Sequence, residues 1–456
     1  MTTSSDTTRR GFLKKSAAAG AAMAGADLLA STVEAAAPAA QGETAQQVVY
    51  WDWWSPVGNA RMGRRYAWIK ETFEKENPGV TVKYQFIPFG DPYLQKIQAA
   101  VAAGNPPDVF ACSVLWGRDL WDRNVLYKLN HFIAMTPELQ PEHFFPSAYV
   151  TDSVNGAIFG VPFEGPDSDI ILMNVDLMAK ALDWPARTPQ DIWAWPDRIQ
   201  TWDDFTKLAV RLTKRSGNKV KVAGFNVPDL GNIEWFTGLL KSNGSHFYKP
   251  DFSGVQLDTP QALQCAQWML DLQKKYKVSQ PPNAQRNDRV ELVAGHVAMI
   301  VDGTWAPAEL HDSNPKFRMM LMPIPRGPHG KTKGTVSWDN MLCMARNAKN
   351  PDLSWKFITF MASLRTQLKR LEFIEYYAPL RNFFQTPQWT AATLRDPALA
   401  AVPLAAEVGD VYPFFHGSEL ADKVGPIMSE ISLGKLTPQT GLAKAQKVAD
   451  SILSGI

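Results

Sequence analysis

The chain is rich in tryptophan, with 16 in 456 residues, and several of them lie beside carboxylates. Large flat aromatics fill cores, but they also stack on the C–H faces of sugar rings while the indole N–H remains available. A carboxylate accepts two hydrogen bonds from neighbouring hydroxyls, which suits a polyol. Trp53, Trp54 and Ser55 follow the apolar run 48–51, and Ser113 and Trp116 follow the run 108–112. Glu164, Asp167 and Asp169 sit within one short segment, and Trp338 adjoins Asp339. Trp235 opens a helical pattern, Trp305 ends the phrase 295–305, and Arg381 ends Ala378-Pro379-Leu380-Arg381. The chemistry these residues suggest is recognition of hydroxyl groups. Catalytic signatures are missing: the sequence has no G-x-G-x-x-G, H-E-x-x-H, G-x-S-x-G or cysteine cluster.

Each residue also has a plainer reading. Trp51, Trp53 and Trp54 cannot all face one way on a strand, so at least one is core and one of the last two is free to meet a ligand. Trp116 is equally suited to helix packing. The three acidic residues fit either a solvated loop or a binding loop on a rigid scaffold.

The elements that must position these residues are legible between 68 and 110. Apolar and charged residues alternate at helical spacing from Trp68 to Glu76, and Asn77-Pro78-Gly79 stops the helix. Val80, Val82 and Tyr84 alternate with polar neighbours as a strand does, Tyr93–Ala103 is helical again, and Asp108 begins another strand. Helix–strand–helix–strand is the unit of an open α/β sheet, whose ligands bind beyond the carboxyl ends of the strands. Further helices are expected over 261–276, 351–363 and 438–453. Thr201 is placed to cap a helix with Asp204 as its acidic partner.

The spelling of the stretch, FEKENPGVTV followed by QKIQAAVAAGNPPDVF, resembles the first lobe of bacterial extracellular solute-binding proteins of the sugar-transport type, the family that includes maltose-binding proteins. Residues 155–162 (NGAIFGVP), 170–174 (IILMN), 201–205 (TWDDF), 257–262 (LDTPQA) and 355–358 (WKFI) are similar to later elements of that family. The strongest late likeness is GHVAMIVDGTW at 295–305. Ser337-Trp338 departs from the family pattern, standing where a glycine pair is usual. This implies a smaller ligand or an added stacking face.

The resemblance implies a two-lobed, type II periplasmic-binding fold, each lobe a mostly parallel sheet flanked by helices. Lobe 1 is expected over 46–160 plus 338–363 and lobe 2 over 161–337 plus 364–456. The hinge is expected near 158–163 and 334–343. It also implies a non-enzymatic role with no cofactor and no metal: delivery of a sugar or polyol to the membrane permease subunits of an ABC-type importer. Trp53, Trp54, Ser55, Ser113, Trp116, Glu164, Asp167, Asp169, Trp235, Trp305, Trp338, Asp339 and Arg381 are the candidate ligand-binding residues. The alternatives are a tryptophan-rich exported glycoside-active enzyme and a binder of a non-sugar solute such as a polyol phosphate.

At the amino terminus, Thr8-Arg9-Arg10-Gly11-Phe12-Leu13-Lys14 matches a twin-arginine export signal, with a weakly apolar run and A-x-A cleavage sites after it. Residues 1–39 are therefore expected to be a signal peptide, the twin-arginine translocase an export partner, and the periplasm the destination. No cysteine near the cleavage region offers a lipid anchor. Leaving out the four basic and three acidic residues of 1–39 takes the formal charge from +2 to +1. Near-neutrality without a basic run argues against nucleic acid and membrane-surface partners, and a monomer is expected. Three separated cysteines, Cys112, Cys265 and Cys343, allow at most one disulfide.

Overall fold

A computed structural model describes residues 46–280, 287–373 and 378–454. The signal-peptide expectation for 1–39 lies outside the described residues. The sequence signals around 60–112 become a compact β-α-β-α-β start. Strand β1 (Gln46–Asp52) is followed by the helix Ala60–Glu76, whose first turn is capped by Asn59 accepting from the Met62 N–H at 3.2 Å. Met62, Arg65, Tyr66, Ile69 and Phe73 form its buried stripe, at the three- and four-residue spacing one helix face requires. This helix begins eight residues before the expected Trp68. Gly79, at φ +83°, turns the chain into β2 (Val80–Phe86), parallel to β1. The helix Asp91–Ala102 then leads into β3 (Val109–Cys112), parallel to β1 on its other side.

After a small ribbon, β4 (Ser153–Val154) with β5 (Ala157–Ile158), the long strand β6 (Val161–Asn174) begins. A second ribbon pairs β7 (Lys214–Ser216) with β8 (Lys219–Val222). Then come β9 (Met299–Gly303), β10 (Met319–Met322), β11 (Thr335–Met344) and β12 (Gly409–Val411). The main sheet runs β10-β6-β11-β3-β1-β2, with β9 also on β6 and β12 also on β11.

This sheet is mixed rather than mostly parallel. Both β9 and β10 run against β6, and β11 runs against β6 and β3. The reason is that β6 and β11 traverse the molecule in opposite senses, and each carries a sheet neighbour at both ends.

Buried side chains fall into two hydrophobic clusters. The first gathers β1–β3 and the helix Pro351–Ala362 and continues along Ile170 and Leu172 of β6. The second gathers Ile171 and Met173 with the helices Trp202–Leu212, Ile233–Ser242, Pro260–Leu270 and Pro438–Leu453. On β11, Val336 and Trp338 belong to the second cluster and Met341–Met344 to the first. Thr201 and Asp204 close a reciprocal capping box, as their spacing predicts. The helix after Thr259 ends at Leu270 and passes into a short π-helical turn, Asp271–Lys275, instead of running on to 276.

Residues 184–202 hold four tryptophans, Trp184, Trp193, Trp195 and Trp202. Trp184 and Trp195 meet at 5.6 Å within the second cluster, and the Lys333 ammonium donates to the Pro196 carbonyl at 2.8 Å. Cys112, Cys265 and Cys343 are buried free thiols. No helix among the described residues is long and apolar enough to cross a membrane.

Candidate functional site

The site is built at the carboxyl end of β1 and along the stretch where β6 and β11 run side by side. At the end of β1, Asp52 is 1% exposed and accepts four bonds. The Tyr50 and Tyr66 hydroxyls donate to one oxygen at 2.7 Å each, and the Trp53 and Trp54 amides donate to the other at 2.7 and 3.2 Å. Burial, reinforced by the charge of Asp52, pushes both phenols well above their ordinary pKa, so they stay donors. This carboxylate fixes the strand-end turn. Trp53 is consequently turned inward, edge-on to Trp116 at 6.1 Å, while Trp54 is turned outward and left 41% exposed. Trp53 and Trp116 are both buried, and their packing partners are Phe89 and Tyr93. Of the two candidates at this turn, Trp54 is therefore the ring open to solvent, and Ser55 is exposed beside it.

Ser113 is buried and caps the helix Val114–Asp122 through the Leu115 N–H. Glu164 is 5% exposed and its oxygens are already engaged. One accepts from Arg65 at 3.0 Å and Arg370 at 3.4 Å, and the other accepts from the Trp54 indole at 3.1 Å. Both arginines come from different helices, Ala60–Glu76 and Leu364–Leu371, so Glu164 is a brace among three chain segments rather than an open acceptor for a polyol.

Spacing alone puts Glu164 and Asp167 on opposite faces of a strand. The register shows otherwise. Glu164 lies opposite Asn340, Asp167 opposite Trp338 and Asp169 opposite Val336, with irregularity between Trp338 and Asn340. Directly opposed residues share a face, so the bulge brings all three carboxylates to one side. Asp167 and Asp169 are half-buried there. Trp305, also half-buried, follows β9, and its ring covers Gly303: a Cβ at 303 would sit 2.1 Å from the ring. Glycine is required at 303 for that close approach rather than for a sharp turn.

The Trp305 and Trp338 rings meet edge-on, 5.7 Å apart at 64°, and Trp338 is sealed on another side by Tyr412 at 4.8 Å. Trp338 is 3% exposed. Rings in direct contact leave no room for a sugar between them, so the pair presents Trp305 outward with Trp338 behind it. Asp339 points to the other side and is buried.

Two further candidates are not brought to this face. Trp235 is 1% exposed in the second cluster, packed against Phe225. Arg381 pairs with Glu407 and donates to the Phe144 carbonyl at 2.7 Å, so its guanidinium is committed within the fold. Both side chains are held by structural partners.

Residues that the motifs did not single out are Asp52, Arg65, Asn340, Arg370 and Tyr412. Arg65 carried a readable signal, since a charge inside the apolar stripe Met62–Phe73 demands a buried partner. Among the described residues no cluster of three metal-ligating side chains exists. The arrangement offers one exposed indole, Trp54, one half-buried indole, Trp305, and two half-buried carboxylates, Asp167 and Asp169, the kinds of group that recognise a ring bearing hydroxyls.

Comparisons with known proteins agree with that architecture. Residues 62–367 match the family model described as bacterial extracellular solute-binding protein. A Brucella abortus chain described as a binding protein is 24% identical over 405 residues, covering 87% of this chain and 91% of that one. The solved cyclic α-maltosyl-1,6-maltose binding protein of Arthrobacter globiformis superposes with a TM-score of 0.73 at 17% identity, covering 90% of this chain and 99% of that one. An ABC transporter solute-binding protein from Thermotoga lettingae, bound with α-D-tagatose, superposes with a TM-score of 0.68 at 20% identity, covering 90% of this chain and 100% of that one. These likenesses establish a shared fold.

Proposed function

The chain belongs to the bacterial extracellular solute-binding protein family, and from that premise we propose that it binds a carbohydrate, a mono- or oligosaccharide or a polyol, and delivers it to an ABC-type importer. One observation carries the reading: Trp54, Trp305, Asp167 and Asp169 lie along the β6–β11 crossing, open or half-open to solvent. Stacking faces beside carboxylates suit a ring with an apolar face and a hydroxylated edge. Proteins of the same fold are named for binding cyclic α-maltosyl-1,6-maltose or were solved with bound α-D-tagatose, which supports carbohydrate as the ligand class.

In this reading lobe 1 comprises 46–160 plus 338–363 and lobe 2 comprises 161–337 plus 364–456. They close on the solute by rotation near 158–163 and 334–343, a hinge motion of the domain-closure type. The protein acts as a monomer in the periplasm after twin-arginine export and engages the importer's permease subunits. It returns the sugar chemically unchanged.

The experiment is a thermal-shift screen of the mature protein against mono- and oligosaccharides, polyols and polyol phosphates. A ligand that binds only the native state at 100 times its Kd adds about 2.7 kcal/mol of stability. At least one sugar should raise the melting temperature in a saturable way and be recovered intact. A response confined to polyol phosphates would replace the ligand class, and hydrolysis of the stabilising sugar at enzyme-like turnover would replace the function.

A further inference from the structure

Asp152 and Asp339 are two buried carboxyl groups that no site residue uses, and the short helix leading into Asp152 packs on β11, the strand that carries Asp339. They are 0% and 1% exposed. Asp152 follows the short helix Ala148–Thr151, whose Ala148 and Tyr149 belong to the first cluster. Asp339 lies on β11 between Trp338 of the second cluster and Met341 of the first. The pair therefore stands where the crossing strand passes from one core to the other. Space there is tight: a Cβ on Gly165 of β6 would come within 2.7 Å of the Asp339 Cβ.

Of their four oxygens, Asp152 Oδ1 accepts from the Thr151 hydroxyl at 3.0 Å. The other three accept from no other group among the described residues, which leaves the two carboxyls only each other. Two ionised carboxylates in such a place would be intolerable, since buried charge requires a counter-charge or donors. A proton held between them supplies the missing donor, as in any carboxyl pair sharing one site. We propose that Asp152 and Asp339 share a proton between the turn after Thr151 and β11, and that this proton ties the crossing strand to the first core.

The surroundings reinforce the shared proton rather than oppose it. On β6 the charge that acts on Asp339 is that of Asp167, another carboxylate. On β11 the neighbour of Asp152 is the buried thiol of Cys343, which in turn meets Cys112 of β3. On the helix before Asp152 the neighbour is Tyr149, whose hydroxyl donates to the Leu139 carbonyl at 2.6 Å. Burial pushes the Asp152 carboxyl up to about 8. Burial, then the charge and hydrogen bond of Asp152, push Asp339 well above the carboxylate range.

The sign follows from linkage. A carboxyl whose folded pKa is raised contributes stability that is complete below its unfolded value, about 3.9, and is lost as pH rises through the folded value. Alkalinity therefore loosens the crossing. If the protein binds solute as proposed above, release becomes easier at high pH; that corollary rests on the proposed function, and the test does not.

The test uses solute-free protein. Melting temperature is followed from about pH 6 to about pH 9 for the wild type, Asp339→Asn and Asp152→Asn. The wild type should lose stability most steeply below about pH 8 and more shallowly above it, as the folded carboxyl gives up its proton. In either variant the amide donates to the remaining carboxylate at every pH, so its profile should be flatter and cross that of the wild type. A purely structural role would shift the curves without changing their slopes, and parallel curves overturn the proposal. Infrared difference spectra of the wild type alone provide a second readout if the variants do not fold. A carboxylic-acid C=O band present at neutral pH and lost on alkalinisation is expected, and its absence at neutral pH overturns the proposal.

Discussion

Glu164→Ala is expected to lower the unfolding free energy by about 3 kcal/mol or more, the loss seen when one partner of a buried ion pair is removed. Two guanidiniums, Arg65 and Arg370, converge on this carboxylate, and all three residues are nearly inaccessible to water. Truncation removes the anion that both face and the acceptor of the Trp54 indole. Arg370 also donates to the Phe163 carbonyl at 2.8 Å, so the disturbance would spread along the crossing strand. Glu164→Gln keeps the shape and an acceptor for Trp54 but not the charge, and should fall between the wild type and the alanine variant. The urea midpoint reports the difference. A loss below about 1 kcal/mol, the range of exposed ion pairs, would show that Glu164 is not a brace.

Trp305→Ala should weaken binding of the cognate sugar by about ten-fold or more, since 1.4 kcal/mol is a factor of ten in affinity. A stacked ring contributes on the order of 1–2 kcal/mol from buried area and geometry. Trp305 is half-buried at the end of β9, and its inner edge rests on Gly303 and Trp338. Its removal exposes part of Trp338 but leaves the Trp338–Tyr412 contact in place. The fold should therefore survive, checked by near-ultraviolet circular dichroism, while the Kd rises in a calorimetric titration. Trp54→Ala should show the same pattern, because the ring is exposed and its indole has a single bond to Glu164. If Trp305→Ala instead unfolds the protein with affinity per folded molecule unchanged, the ring is structural.

Local signals read well where one physical rule dominates. Asn77-Pro78-Gly79 ends a helix, Thr201 with Asp204 starts one, and Pro438–Leu453 forms as its periodicity predicts. What the sequence could not convey depends on partners distant along the chain. Glu164 resembles any loop carboxylate until Arg65 and Arg370 arrive from 99 and 206 residues away. Trp53 and Trp54 are neighbours with opposite fates, decided by how Asp52 holds the turn. Alternation along a strand misplaces Glu164 relative to Asp167, because the bulge opposite Asn340 resets the face. Trp338 and Asp339 are adjacent and point to opposite sides of the sheet, so motif proximity did not make them one site. The expectation of a mostly parallel sheet failed for the same kind of reason: the direction of β11 depends on topology, not on its own residues.

The account rests on a sugar held between two parts of the molecule that close over it, and small-angle scattering tests this most directly. Scattering is recorded from the solute-free protein and again with a saturating concentration of the sugar that stabilises it. Closure around the β6–β11 crossing predicts a smaller radius of gyration with sugar. An unchanged profile under demonstrated saturation would contradict it.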